Sequence, residues 1–314
     1  MRLGLVTEAF IDRPLPELMD WLRDAAPGLT ELEVGAGGYA PPGHCDTAAL
    51  LADAGRRRAY LAEAADRGFR IAALNVWGNP LHPDRAVAEA HDRGLRDAVR
   101  LAAALGVDRV VAMAGCPAGA AGDRTPDFAA GGWLPYLEGV AEAQWRDHVE
   151  PYWRELSAFA LREHPALLIC LELHPGTAVY NVETFERLAA LGPNLAANLD
   201  PSHFFWQQMD GLAIARHLRD RVGHVHAKDL AFVAGNVALN GVLDRRWPGD
   251  PQLMPWNFAT VGRGHDAAWW SGLVEALRGA PVEAVAIEHE DPLEPAETGV
   301  PEAATLLRQM LDTA

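Results

Sequence analysis

The sequence has few cysteines, no long apolar run and a shortage of basic side chains. Its three cysteines are far apart and form no CxxC pair, so neither a disulfide framework nor a thiolate zinc site is expected. The longest apolar runs, such as residues 166–171, fall far below the roughly 18 residues that a membrane span needs. Glu8 interrupts the N-terminal stretch where a signal peptide needs its apolar segment. We therefore expect a cytoplasmic protein without a membrane partner.

The charge balance argues against nucleic acid as a partner. Lys and Arg number 27 against 43 Asp and Glu, a formal net charge of −16, and an acidic chain repels phosphate backbones on average. Apolar residues make up 49% and charged residues 22%, which is typical of a globular protein and excludes a disordered chain, a coiled coil and a collagen. A length of 314 residues fits two domains or one α/β barrel with insertions.

Short apolar segments alternate with amphipathic ones along the chain, at the spacing of βα units. The apolar segments have few polar interruptions, as strands buried on both faces should have. Eight such units predict a (β/α)8 TIM barrel that forms a single domain over residues 1–314. The predicted strands are 3–7, 30–34, 69–76, 109–113, 167–173, 195–200, 222–226 and 282–288. The predicted helices include 84–105, 147–163, 210–218 and 301–311.

A doubly wound open sheet is the alternative fold, and it predicts a glycine-rich phosphate loop after an early strand. Gly35 and Gly37 fit the first half of the pattern G-x-G-x-x-G, but Ala40 stands where the third glycine belongs. The segment then continues into Pro-Pro, which does not open a helix of the required kind. We therefore favour the barrel.

Two predicted βα connections are longer than the unit requires. The extra residues follow the fourth and the seventh predicted strand, at 115–136 and 229–265, and both segments are rich in Gly, Pro and Trp. In a barrel, loops that follow strands lie on the catalytic face. We predict that these two long loops act as lids or specificity walls.

Four consecutive predicted strands carry a charged side chain at the carboxyl end, namely Glu172, Asp200, His226 and Glu288. Such groups are costly inside apolar strands unless they are paired or bind a metal. Barrel closure makes these ends converge, and a divalent cation is the simplest compensation for three carboxylates. Three oxygen ligands and one imidazole, with no thiolate, favour Mn²⁺, Mg²⁺ or Co²⁺ over structural Zn²⁺. His224 shares a strand face with His226, and we predict His226 as the ligand because it lies nearer the carboxyl end.

Six segments resemble the xylose isomerase-like TIM barrel family, which includes sugar phosphate isomerases and epimerases and the family 2 AP endonucleases. The resemblance extends over nearly the whole chain, to about residue 292. Its most specific parts are the motifs D-x-x-H and H-x-H-x-K-D in this order, which do not specify a substrate. The segments are LEVG (32–35), ALNVWGNPLHPD (73–84), LELHPG (171–176), NLDPSH (198–203), HVHAKD (224–229) and IEHED (287–291).

The resemblance implies roles for particular residues. In the ketose epimerase branch a Glu, Asp, His and Glu set holds the metal, and here it matches Glu172, Asp200, His226 and Glu288. The two glutamates also serve there as acid and base, while His203 and Lys228 are implied to polarise or orient the substrate. The expected metal is Mn²⁺, with Mg²⁺, Co²⁺ or Zn²⁺ as alternatives. The candidate substrate contacts are Glu33, Asn75, His82, His174 and Arg263.

Some positions depart from the patterns of these branches. Phe232 stands where the ketose epimerase branch has an arginine, six residues after the metal histidine. Asn75 and Trp77 end the third strand where the AP endonuclease branch needs histidine, and residues 262–265 lack an Asp-x-His pair. DNA repair is therefore not expected.

The sequence thus predicts a metal-dependent sugar isomerase or epimerase that acts by enediolate proton transfer on a ketose or keto-sugar. One alternative is a lyase or hydrolase of 3-keto glycosides, and another is a non-catalytic sugar-binding barrel. The expected partner is a small-molecule sugar, and a homo-oligomer is compatible with the sequence. No basic cluster dominates the loops, so a phosphorylated substrate is not implied.

Overall fold

Eight parallel strands close into a barrel in the computed structural model of the protein, which describes residues 1–40, 43–130, 134–243 and 249–311. In chain order the strands are β1 (Arg2–Val6), β2 (Leu29–Gly38), β3 (Arg70–Trp77), β4 (Arg109–Met113), β5 (Leu168–Glu172), β6 (Leu195–Leu199), β7 (Val222–Ala227), β8 (Asp229–Phe232), β9 (Trp256–Ala259) and β10 (Ala284–Ile287). The order around the barrel is β1, β10, β7, β6, β5, β4, β3 and β2. The predicted barrel is therefore confirmed, and each predicted strand has its counterpart.

Helices follow most barrel strands, as the βα pattern predicts. They are α1 (Leu15–Ala25), α2 (Thr47–Ala52), α3 (Ala54–Asp66), α4 (Arg85–Leu105), α5 (Val140–Gln144), α6 (Glu150–Glu163), α7 (Val182–Ala189), α8 (Ser202–Phe205), α9 (Gly211–Leu218), α10 (Ala234–Asn240), α11 (Ala267–Ala276) and α12 (Ala296–Leu311). A π-helical turn at Trp145–Val149 precedes α6, so that α6 begins later than predicted. None of the described helices is long and apolar enough to cross a bilayer.

Helix α4 illustrates why the amphipathic stretches fold as helices. The Asp84 side chain accepts a hydrogen bond from the Ala86 backbone N–H at 2.9 Å and so caps the N-terminus. Gly106 ends the helix with φ 71°, a left-handed conformation that glycine adopts without a steric cost. The buried face recurs at helical spacing. Its members are Leu95, Ala98, Val99, Leu101, Ala102 and Leu105.

The predicted loop at 229–265 contains two strands and a helix that the sequence did not predict. β8 pairs antiparallel with β9, and helix α10 follows β8. The two strands have four residues each, and they are separated by many more residues than the two to five of an ordinary hairpin turn. The sequence therefore offers no local turn signal for this pairing. We refer to β8 and β9 together as the inserted hairpin.

The chain divides into two compact units. The first consists of Met1–Glu33, Glu63–Arg70 and the described part of Leu199–Ala314, and it contains β1, β7, β10 and the inserted hairpin. The second consists of Val34–Ala62 and Ile71–Asn198, and it contains β3, β4 and β5. The prediction of a single domain stays a prediction.

Small apolar side chains fill the barrel interior in the second unit. Ala73, Val111, Cys170 and Ala196 form one cluster, with one residue from each of β3 to β6. Side chains from four consecutive strands thus pack against one another in the core. All three cysteines are buried and none is in a disulfide, and burial raises the pKa of both Cys45 and Cys116 to about 11.

Candidate active site

Glu33 joins two histidines of β7. The side chains at positions 224 and 226 project to the same side of the strand because they are two residues apart. Nε2 of His224 lies 2.6 Å from Oε2 of Glu33, and Nε2 of His226 lies 3.1 Å from both carboxylate oxygens. All three residues are buried. Burial acts to raise the pKa of Glu33, but the two histidines outweigh this effect and hold that pKa well below its usual range.

Three of the predicted metal ligands, Asp200, His226 and Glu288, come together. Each offers a ligand atom within 4.8 Å of those of the other two, and all are buried. Nδ1 of His226 lies 2.9 Å from Oε2 of Glu288. If His226 is neutral and donates its Nε2 hydrogen to Glu33, its Nδ1 carries a lone pair that faces Oε2 of Glu288. A positive charge is then needed between these two atoms. Two carboxylates and one imidazole fit a divalent cation at this point.

Lys228 lies beside this cluster, directly after β7. Its Nζ is 3.0 Å from Oε1 of Glu288, 2.5 Å from Oε2 of Glu290 and 4.0 Å from Oδ2 of Asp200. The residue is only 4% exposed. Burial raises the pKa of Glu288, and its neighbours Lys228 and His226 oppose that rise. The ammonium group thus partly offsets the negative charge of the carboxylates.

His203 is positioned by the turn that follows β6. The backbone N–H of Ser202 donates to Oδ1 of Asp200 at 2.9 Å, which folds the chain back over the carboxylate and starts α8. Nε2 of His203 then lies 3.2 Å from Oδ2 of Asp200. The ring of His203 also meets Phe258 of the inserted hairpin edge-on, with centroids 6.0 Å apart. The D-x-x-H motif therefore brings an imidazole to the predicted metal ligand.

The other predicted residues near strand ends lie in the second unit. Glu172 ends β5, is buried and aligns with Met113 of β4 and with Asn198 of β6. His174 follows two residues later, and Asn75 is fully buried near the end of β3. Their assigned roles stay predictions.

Two further predicted substrate contacts already have partners. Nδ1 of His82 accepts a hydrogen bond from the Asp84 backbone N–H at 2.9 Å, at the start of α4. The guanidinium of Arg263 pairs with Glu294 at 2.6 Å and with Glu302 at 2.8 Å, and its side chain is 41% exposed. Their roles as substrate contacts also stay predictions.

Glu8 was not recognised as a candidate from the sequence. It follows β1, and its pKa is raised to about 7 by burial and by the negative charges of Glu33, Glu288 and Glu290. The sequence held one signal for Glu8. It is a carboxylate that follows an apolar strand closely, and Glu172 and Asp200 occupy similar positions at the ends of their strands. No motif surrounds it, and nothing else in the sequence distinguishes it from a surface residue.

Asp229 anchors the segment that returns from the inserted hairpin. Its carboxylate accepts hydrogen bonds from the backbone N–H groups of Gly262, Gly264 and His265 at 2.9–3.0 Å. It also lies 2.8 Å from Nδ1 of His265. Because Asp229 directly follows Lys228, this anchor holds the end of the long loop beside the buried cluster.

The chain belongs to the xylose isomerase-like TIM barrel family, which matches residues 32–310. It is 32% identical over 315 residues to the uncharacterized protein YfiH of Bacillus subtilis (strain 168), and the match covers 99% of each chain.

Two solved structures illustrate the shared fold. The probable 3-DHS dehydratase AsbF of Bacillus anthracis matches with a TM-score of 0.68 and 15% identity, over 98% of this chain and 99% of that one. The 3-keto-D-glucoside 4-epimerase YcjR of E. coli matches with a TM-score of 0.60 and 15% identity, over 99% of both chains. At such low identity these similarities show the fold alone.

Proposed function

We propose that the protein is a divalent-metal-dependent sugar isomerase or epimerase that moves a proton beside a keto group through an enediolate. The observation that carries the proposal is the buried cluster of Asp200, His226 and Glu288 at the ends of neighbouring barrel strands, with Lys228 against it. Membership of a family that includes sugar isomerases supports the same reaction class.

The cation would be held by Asp200, His226 and Glu288, with Glu172 at the end of β5 as the proposed fourth ligand. Mn²⁺ is the proposed metal because the set is rich in oxygen and has one imidazole and no thiolate. When bound, the metal supplies Lewis-acid polarisation of the keto oxygen. Glu33 contacts the opposite nitrogen of His226 at 3.1 Å, so we assign it to positioning this imidazole rather than to contacting substrate.

Proton transfer is assigned to the glutamates. Glu288 removes or returns the proton on carbon next to the keto group, and Glu172 serves as the second acid–base group. The ammonium group of Lys228 lies 3.0 Å from Glu288. It can hold a proton at the keto oxygen of the substrate and offset the negative charge that develops on that oxygen. His203, held by Asp200, orients a substrate hydroxyl. Return of the proton to the same carbon on the other face gives an epimer, and its return to the neighbouring carbon gives an isomer.

Elimination from a 3-keto glycoside is the second candidate reaction. A glycosyl oxygen placed β to the carbanion can leave when an acid protonates it, and the buried ammonium of Lys228 is suited to that role. The name of one structural neighbour, a 3-keto-D-glucoside 4-epimerase, shows that this fold accepts 3-keto glucosides in at least that protein.

Solvent exchange tests the proposal. Metal-free protein reloaded with Mn²⁺ is incubated in D₂O with a panel of ketoses and 3-keto glycosides, and deuterium at carbon is measured by NMR. We expect metal-dependent exchange, with the labelled carbon distinguishing isomerase, epimerase and lyase. Glu288→Gln should abolish it, whereas Glu283→Gln, just before β10 and paired with Arg70, should not. Absence of exchange in metal-loaded protein would contradict the proposal and favour a sugar-binding or hydrolytic role.

A further inference from the structure

The inserted hairpin places a row of aromatic side chains against the proposed catalytic residues. The ring of Phe258 lies 4.2 Å from Nζ of Lys228 and meets His203 edge-on. Trp256, two residues before Phe258, lies on the same face of β9, with ring centroids 5.5 Å apart. Trp206 stacks on Trp256 at 5.7 Å with nearly parallel planes. The row Phe258–Trp256–Trp206 therefore begins at the reactive groups and continues away from them.

Exposure increases along this row. Phe258 is 7% exposed, whereas Trp256 and Trp206 are half-buried. The next residue on this face of the hairpin is Phe232, opposite Trp256 in the ladder and 45% exposed. Such an aromatic surface, which extends from the reactive groups toward solvent, suits a substrate of two parts. The reacting part would lie at the buried end of the row and a second ring at its exposed end.

Two elements fix the row in place. Phe258 and Leu230 pack against Phe205 of α8, the same helical turn that carries His203. Nε1 of Trp256 donates a hydrogen bond to the carbonyl of Val242 at 3.0 Å, which sets the orientation of the indole. Rigid aromatic surfaces bind flat ligands at a low cost in conformational entropy.

The charges around the row favour an uncharged ligand. Lys228 is engaged by Glu288 and Glu290, and Arg263 by Glu294 and Glu302. Arg and Lys side chains are common partners of a phosphate. Within the residues that the structure describes, the row itself carries none.

We infer that Phe258, Trp256 and Trp206 form a subsite for an uncharged second ring, so that the substrate is a glycoside rather than a free or phosphorylated sugar. This inference rests on the proposed function for the reacting end, and it adds the substrate class. The ring of the aglycone stacks on an outer face of the Trp256–Trp206 pair, while the keto-sugar lies at Lys228 and His203.

Equilibrium binding tests the subsite without turnover. The probes are p-nitrophenyl β-D-glucoside, methyl β-D-glucoside and glucose 6-phosphate, none of which carries the 3-keto group, and binding is measured by calorimetry on the Mn²⁺-loaded protein. Aromatic stacking predicts an aryl preference over the methyl glycoside of about 3- to 10-fold. Trp206→Leu and Trp256→Leu, which keep bulk but remove the indole, should reduce that preference to nearly one.

A control separates the subsite from general packing. Trp21→Leu replaces a half-buried tryptophan of α1 that packs on Phe10 and should keep the wild-type preference. Melting curves identify any variant that fails to fold, and the wild-type comparison of the three probes stands without variants. Equal binding of the two glucosides, no binding of either, tighter binding of glucose 6-phosphate, or an unchanged preference in both folded row variants would overturn the inference.

Two separate measurements distinguish a failure of the subsite inference from a failure of the proposed chemistry. Solvent exchange into 3-keto-glucose depends on the reacting end alone, and it is measured on the wild-type protein. Exchange without an aryl preference would refute the subsite alone. An aryl preference without exchange would refute the proposed chemistry alone.

Discussion

The contact between Glu33 and His226 predicts that removing one negative charge weakens metal binding. In Glu33→Gln the side chain keeps its shape, but the charge-assisted hydrogen bonds to Nε2 of His226 and of His224 are lost. His226 then has a weaker preference for the tautomer that turns an unprotonated Nδ1 toward Asp200 and Glu288. Partners of metal-bound histidines contribute about 10- to 100-fold to metal affinity, or about 1.4–2.7 kcal/mol.

The assay is a titration of metal-free protein with Mn²⁺, with free Mn²⁺ measured by electron paramagnetic resonance. A matched control lies two residues earlier on the same strand. Glu31 is 1% exposed and pairs with Arg2 at 3.1 Å and with Arg70 at 2.7 Å, near the opposite end of the barrel. Glu31→Gln should lower the melting temperature but leave Mn²⁺ affinity unchanged. An affinity change below about threefold in Glu33→Gln, or an equal loss in the control, would refute the reasoning.

Three further changes have defined outcomes. Lys228→Met should lower kcat by about 10²- to 10⁴-fold without weakening Mn²⁺ binding, and a drop below tenfold would contradict its catalytic role. Because the pKa of Glu8 is about 7 in the folded protein and lower when unfolded, metal-free protein should lose stability as the pH rises from about 4.5 to 7. Glu8→Gln should therefore raise the melting temperature at pH 8 but not at pH 4.5, and equal shifts would contradict this. Gly264→Ala would place Cβ against the Leu230 carbonyl and should lower both the melting temperature and kcat, and a wild-type melt would contradict this.

The barrel could be predicted from the sequence because the patterns that define its strands and helices are local. Strands buried on both faces are short apolar runs, and β4 was predicted with its observed bounds, Arg109–Met113. The N-cap at Asp84 and the glycine stop at Gly106 define α4 in the same way. The end of α12 agrees with the prediction, but that helix begins at Ala296, so that Pro301 lies inside it rather than at its start.

The site was only partly predictable because its decisive contacts are long-range. The sequence singled out Asp200, His226 and Glu288, whose ligand atoms lie together. Glu33 was expected to contact substrate, yet its partner His224 is 191 positions away and no local pattern connects them. The inserted hairpin was missed for the same reason, since its two short strands pair across a long segment.

The central claim is that a divalent cation binds between Asp200, His226 and Glu288. A crystal grown with Mn²⁺ and measured near the manganese absorption edge tests it most directly, because anomalous scattering locates the metal independently of activity. We predict one strong peak bonded to Nδ1 of His226 and to carboxylate oxygens of Asp200 and Glu288. No peak at this position, or a peak at Nε2 of His226 beside Glu33, would contradict the account.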